Sequence, residues 1–77
     1  MRIKITGSEQ GSIPSETVVT IATVEGPEEV VVHKSQASSE SVEAGLIGWK
    51  GDRALVELPR ETISGRWRVW IPKEAVA

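Results

Sequence analysis

Apolar residues alternate with polar ones along much of this chain, which is the pattern of short, half-buried β-strands rather than of helices. Residues 1–6 alternate cleanly, and residues 17–25 and 29–34 are rich in the β-branched residues that favour strands. Residues 26–28 (Gly-Pro-Glu) are typical of a turn, so the two β-branched segments predict a β-hairpin. Residues 7–15, rich in glycine and serine, predict a loop.

The second half of the chain predicts another hairpin and a closing strand. Residues 46–49 and 53–58 flank Lys50-Gly51-Asp52, which is a tight-turn signal. Residues 66–71 alternate as a strand, and the proline-led segment 72–76 predicts a single helical turn.

The polar segment 35–41, Ser-Gln-Ala-Ser-Ser-Glu-Ser, lies between the two predicted hairpins. Its composition suits a flexible loop or one turn of helix, and we favour the loop. Residues 42–44 are expected to begin a further strand. A modification or binding site in this serine-rich segment is the less favoured alternative.

These elements predict an all-β fold, and 77 residues suffice for one domain spanning residues 1–77. The chain has no cysteine, so neither disulfides nor thiolate-bound metals supplement its core. Short strands joined by Gly- and Pro-marked turns favour a small antiparallel barrel or sandwich with one short C-terminal helical turn. We expect a barrel, because closure removes the sheet edges that valine-rich strands would otherwise expose.

The C-terminal part of the chain resembles the end of a Src-homology-3-like barrel. It runs from a tryptophan strand through a short turn to a valine-containing strand, then to a second tryptophan strand and a helical turn ending in Ala75-Val76. The resemblance covers less than half of the chain and implies architecture only. Peptide binding does not carry over, because the chain has no tyrosine or phenylalanine to line that family's proline-peptide groove.

The segment Arg66 to Pro72 holds two of the three tryptophans and is the most informative part of the sequence. If it is extended, Trp67, Val69 and Ile71 share one face, which we assign to the core. A small cysteine-free domain depends strongly on its aromatic residues, so we expect at least two of the three tryptophans to be structural.

The opposite face of the same segment carries Arg66, Arg68 and Trp70, and these are the candidate partner-binding residues. Arginine and tryptophan are enriched where proteins contact one another. The competing interpretation is that Trp70 closes the open end of the barrel. In that case the arginines pair with Glu57, Glu61 or the acidic N-terminal half.

Net charge divides the chain into two parts. Residues 1–45 carry three basic and seven acidic residues, whereas residues 46–77 carry six basic and four acidic ones. The basic half allows nucleic-acid binding as an alternative function, by phosphate contacts and stacking. The overall charge of −2 disfavours that alternative. The charge asymmetry makes an acidic protein partner, or self-association through the acidic N-terminal half, the preferred expectation.

Enzymatic signatures are absent from the sequence. His33 is the only histidine and no serine lies at a diagnostic spacing from it, so we predict no enzyme, no cofactor and no metal site. The chain is similar in length and strand richness to the plasmid-borne type of dihydrofolate reductase, whose site lies at a tetramer's centre. It lacks that family's Val-Gln-Ile-Tyr segment.

We therefore expect a small non-enzymatic protein-interaction module. The N-terminus has no apolar run of signal-peptide or membrane-span length, so we expect a cytoplasmic protein that does not enter a membrane.

Overall fold

The computed structural model describes residues 1–77 and confirms the all-β prediction. Eight strands and two single 3₁₀ turns follow one another along the chain, and three small antiparallel sheets result. The strands are β1 (Arg2–Lys4), β2 (Gly7–Gln10), β3 (Glu16–Thr23), β4 (Gly26–His33), β5 (Ser41–Glu43), β6 (Gly45–Lys50), β7 (Arg53–Glu57) and β8 (Arg68–Pro72). The 3₁₀ turns span Lys34–Gln36 and Lys73–Ala75.

The strands do not join into one closed ring of hydrogen bonds. The sheets have the orders β1-β5, β2-β3-β4 and β6-β7-β8. Open sheet edges therefore remain. We favoured a barrel over a sandwich because closure would remove such edges, and this closure does not occur.

Both predicted hairpins form. Strands β3 and β4 pair over eight positions, from Glu16 opposite His33 to Thr23 opposite Gly26, so the turn comes two residues earlier than predicted. Strands β6 and β7 pair from Lys50 opposite Arg53. Gly51 in their two-residue turn has φ 60°, a backbone conformation that favours glycine.

The predicted loop over residues 7–15 is wrong in its first part, because Gly7–Gln10 is strand β2. Glycine, serine, glutamate and glutamine have weak strand propensity, and the sequence itself gives no strand signal there. The strand forms because it pairs with β3, from Gly7 opposite Thr20 to Gln10 opposite Thr17. The serine-rich segment 35–41 is largely a loop, as predicted, and its first two residues belong to the first 3₁₀ turn.

The hydrophobic core lies between the sheets and is small. Each contributing strand supplies alternate residues, in agreement with the period-two pattern of the sequence. Strands β2 and β6 supply none. The core residues are Ile3, Val19, Ile21, Val30, Val32, Val42, Ala54, Val56, Leu58, Val69, Ile71 and Ala75.

No helix in the structure has the length and apolar composition needed to cross a membrane.

Candidate functional site

The predicted contact residues lie on or next to β8, at the C-terminal end of the chain. Val69 and Ile71 of this strand are buried, as predicted, and Arg68 and Trp70 point to the opposite, outer face of the sheet. Arg66 precedes the strand, which begins at Arg68 rather than at residue 66. The structure therefore places two of the three residues on one strand face and leaves Arg66 on the adjoining loop.

Arg66 is paired with an acidic residue of the N-terminal half. Its guanidinium donates hydrogen bonds to both carboxylate oxygens of Glu25. The hydrogen bond and the charge of Arg66 lower the pKa of Glu25, and the same contact raises the pKa of Arg66. Both side chains are largely exposed, so this pair orients Arg66 more than it stabilises the fold.

Arg68 is also paired within the molecule. Its Nε donates to Glu57 at 3.1 Å, directly across the β7–β8 ladder. The two ion pairs fit the competing interpretation of the sequence, in which the arginines pair with Glu57 and with the acidic N-terminal half. Neither arginine offers an unneutralised charge to a partner.

Trp70 lies on the outer face of β8, at one edge of the three-stranded sheet. It is half-buried, and across the sheet it stands opposite Leu55 of β7, which in turn stands opposite Gly48 of β6. Gly48 has no side chain, and an added Cβ there would meet no atom within 4 Å. The row formed by Trp70, Leu55 and Gly48 is thus an apolar strip, and we call it the outer strip.

Two unpaired cations flank the outer strip. Lys50 and Arg53 face each other across the β6–β7 turn, both are exposed, and neither takes part in an ion pair or a side-chain hydrogen bond. Together with Gly51, Asp52 and Trp70 they line an open depression on this side of the sheet. The positive part of the candidate surface is therefore Lys50 and Arg53.

The assignment of Trp67 to the core is wrong, since 54% of this residue is exposed. Its carbonyl accepts a hydrogen bond from the Leu58 amide at 2.9 Å, one step beyond the β7–β8 ladder. Trp67 precedes strand β8, and the buried core on this side ends at Val69 and Leu58, so the alternation does not carry Trp67 into the core.

The expectation that at least two tryptophans are structural is also wrong. Trp49 is 52% exposed on β6, close to the exposed side chains of Leu46 and Ile47. Sequence reasoning assigned no function to this strand. Its signal was present in the run Leu46-Ile47-Gly48-Trp49, which is too apolar for an edge strand facing water.

His33 makes a local contact with a serine. Its Nδ1 accepts a hydrogen bond from the Ser35 amide at 3.0 Å and lies 2.7 Å from the Ser35 hydroxyl. The His33 amide in turn donates to the Gln36 side chain at 3.1 Å. These contacts cap the first 3₁₀ turn, and no carboxylate orients the other nitrogen of the ring as a catalytic triad requires.

No group of three or more histidine, cysteine, aspartate or glutamate side chains converges in a way that would hold a metal ion. Comparison of the chain with protein-family models, with curated proteins and with solved structures finds no match.

Proposed function

We propose that this protein is a small non-enzymatic protein-interaction module, and that the outer face of the β6-β7-β8 sheet contacts the partner. The observation that carries the proposal is the position of Trp70, half-buried in the outer strip beside two unpaired cations. A fixed aromatic side chain with apolar neighbours and a charged margin is the arrangement that protein contacts favour.

Arg66 and Arg68 have a different role in this proposal from the one the sequence suggested. Because they pair with Glu25 and Glu57, the surface on one side of Trp70 is nearly neutral. Lys50 and Arg53 keep the surface on the other side positive. We expect a partner segment that combines apolar side chains with aspartate or glutamate. Its carboxylates would lie over the β6–β7 turn.

Nucleic-acid binding is less well supported. Of the six basic residues in the C-terminal half, four are already paired with carboxylates and two remain free. Two free cations beside one indole are a weak footprint for a phosphate backbone. The Src-homology-3-like architecture and the cytoplasmic location remain predictions from sequence, the second resting on the cysteine-free composition.

An NMR titration tests the proposal directly. The probe is a soluble peptide that alternates glutamate and leucine, with the lysine–leucine peptide as its charge-reversed match. We expect shifts of the Trp70 indole N–H and of Leu55 with the acidic peptide only. In Trp70→Ala the shift of Leu55 should be lost. Trp67→Ala is the matched control, because it also removes a tryptophan side chain, but one that lies outside the outer strip.

Three results would contradict the proposal. The first is equal binding of the acidic peptide by wild type and Trp70→Ala. The second is saturable, strongly salt-dependent binding of a labelled single-stranded oligonucleotide that perturbs the same indole, which would favour the nucleic-acid alternative. The third concerns the fold of the variant. Unfolding of Trp70→Ala, seen by circular dichroism, would assign the residue to the core and remove the surface.

A further inference from the structure

Strand β6 is a free edge made of apolar residues. Apart from its pairing with β7, none of residues 45–50 makes a backbone hydrogen bond. None belongs to the core, and Leu46, Ile47 and Trp49 are 46%, 46% and 52% exposed. An apolar strand with an unpaired row of amides and carbonyls is a template for pairing with another strand.

The other sheet edges are closed by the chain itself or are polar. Strand β4 is bridged at Val30 by Thr62, and the Glu29 carbonyl accepts from the Ile63 amide. The carbonyl of Trp70 on β8 accepts from the Val24 amide. Strand β2 is open, but its exposed residues are Gly-Ser-Glu-Gln. Strand β6 is thus the open edge whose exposed side chains are mostly apolar.

Two apolar residues of β6, Leu46 and Trp49, project to the core side of the sheet. Leu46 is opposite Val56 and Trp49 is opposite Ala54, and both partners are buried in the core. The odd spacing between Leu46 and Trp49 is possible because the register shifts at Ile47, which is the extra residue of a β-bulge. Leu46 and Trp49 therefore continue the core surface past its edge and into solvent.

We propose that β6 is the contact strand of a homodimer, in which it pairs antiparallel with β6 of a second copy. The two-fold axis passes between Ile47 and Gly48, and two three-stranded sheets become one sheet of six strands. In this register Leu46 of each copy lies opposite Trp49 of the other. The sequence of β6 is self-complementary in this respect, because the axis exchanges its two inward-facing apolar residues.

Charge on the outer face favours the same register. Lys50 and Arg53 stand opposite each other in the monomer, an unfavourable pairing of like charges. In the dimer Lys50 lies opposite Gly45 of the second copy, which has no side chain. Beyond that glycine is Glu57 of the second copy, since Gly45 and Glu57 are paired in each protomer. Each lysine can therefore extend over the glycine toward a carboxylate, and this contact forms twice.

The size of the domain gives an independent reason to pair. Only 12 hydrophobic residues are fully buried in a chain of 77, which has no disulfide to add stability. Domains of this size often gain stability through oligomerisation. The dimer forms through the edge of β6 and rests on Leu46 and Trp49, whereas the proposed function rests on Trp70. The two contacts share Lys50 and Gly48 on the outer face, but the dimer does not require Trp70.

Sedimentation equilibrium tests the dimer. We expect the wild type to approach twice the 8.3 kDa chain mass at micromolar to millimolar concentration. Trp49→Lys is expected to raise the dissociation constant by roughly 30-fold or more, as loss of a contact hot spot does. Ile63→Lys is the matched control, because Ile63 is 67% exposed but lies away from β6, and it should dimerise as the wild type does.

A charge exchange tests the register. Lys50→Glu should weaken the dimer. Adding Glu57→Lys together with Arg68→Glu should restore it, since the pair between the copies and the Glu57–Arg68 pair are both re-formed with their signs reversed. Amide exchange supplies a measurement without substitution, in which alternate amides of β6 slow with rising protein concentration and those of β2 do not.

A wild type that stays monomeric at millimolar concentration would overturn the proposal, and would leave the edge to another partner. If Ile63→Lys weakens the dimer as much as Trp49→Lys does, the contact lies elsewhere. The same holds if exchange of the β2 amides also slows with rising protein concentration. Dimerisation without rescue by the charge exchange would overturn the register.

Discussion

Strands β2 and β6 hold the same position in two different sheets, the open edge of three antiparallel strands, and neither supplies a core residue. Strand β2 exposes Gly-Ser-Glu-Gln, whereas β6 exposes Leu46, Ile47 and Trp49. Natural proteins protect open edges with short strands, charges or bulges. The polar composition of β2 does so, while β6 has only its bulge and Lys50. The contrast indicates that pairing is avoided at one edge and permitted at the other.

The strongest test of this comparison makes the same substitution at a buried core position of the β6-β7-β8 sheet and at an exposed position on β6. Ile71 is fully buried on β8 and Ile47 is 46% exposed on β6. We expect Ile71→Ala to reduce the free energy of unfolding by about 2–5 kcal/mol, because it removes apolar contacts and leaves a cavity.

Ile47→Ala should change the same free energy by less than about 0.5 kcal/mol at low protein concentration. Urea denaturation followed by tryptophan fluorescence measures both values. A large loss of unfolding free energy for Ile47→Ala in dilute monomer would mean that β6 is part of the core. Its side chains would then not be available for a contact with another molecule.

Periodicity in the sequence predicted the core strands better than it predicted their ends. Val69 and Ile71 are buried as expected, but the same alternation failed for Trp67, because it does not reveal where the opposing layer stops. Strand β2 was not predicted, because its residues have no strand pattern of their own. It forms because it pairs with β3.

The candidate site was predicted in part. Arg68 and Trp70 share an outer face, as alternation requires. The ion pair of Arg66 joins residues 41 positions apart, and no local pattern indicates which acidic residue is its partner. The exposure of β6 likewise depends on how far the other sheets extend, a property that no single strand encodes.

A second test compares glycines at the two edges. Gly11 follows β2, and an added Cβ there would lie 2.8–2.9 Å from atoms of Glu16, including its backbone. We expect Gly11→Ala to cost about 1–3 kcal/mol of stability, since backbone cannot move away as a flexible side chain can.

Gly48→Ala on β6 is the matched change, because nothing lies within 4 Å of the added methyl group. It should be neutral, or stabilising by up to about 1 kcal/mol, since alanine loses less backbone entropy than glycine in a strand. Thermal unfolding of dilute protein distinguishes the two. Equal losses at both glycines would show that the β6 edge is already closely packed.

The smallest expected effect concerns the edges that the chain closes itself, near β4 and β8. Arg66 lowers the pKa of Glu25 through a hydrogen bond and its charge, and hydrogen bonds from Ser64 and Thr62 help to lower the pKa of Glu28. A carboxyl group whose pKa is lower in the folded state stabilises the protein above its unfolded pKa. That contribution is lost as the pH falls from the ordinary value of 4.5 through the folded value.

Thermal unfolding between neutral and acidic pH should therefore show a small loss of stability below about pH 4.5, and the loss should be weaker in Glu25→Gln. Glu9→Gln on β2 is the control, because the Glu9 side chain makes no ion pair or hydrogen bond, and we expect the acid-induced loss of stability to persist in this variant. If Glu9→Gln flattens the profile as much as Glu25→Gln does, the acid sensitivity reflects general charge rather than the contacts that close these edges. The distinction between self-closed and open edges would then lose its electrostatic support.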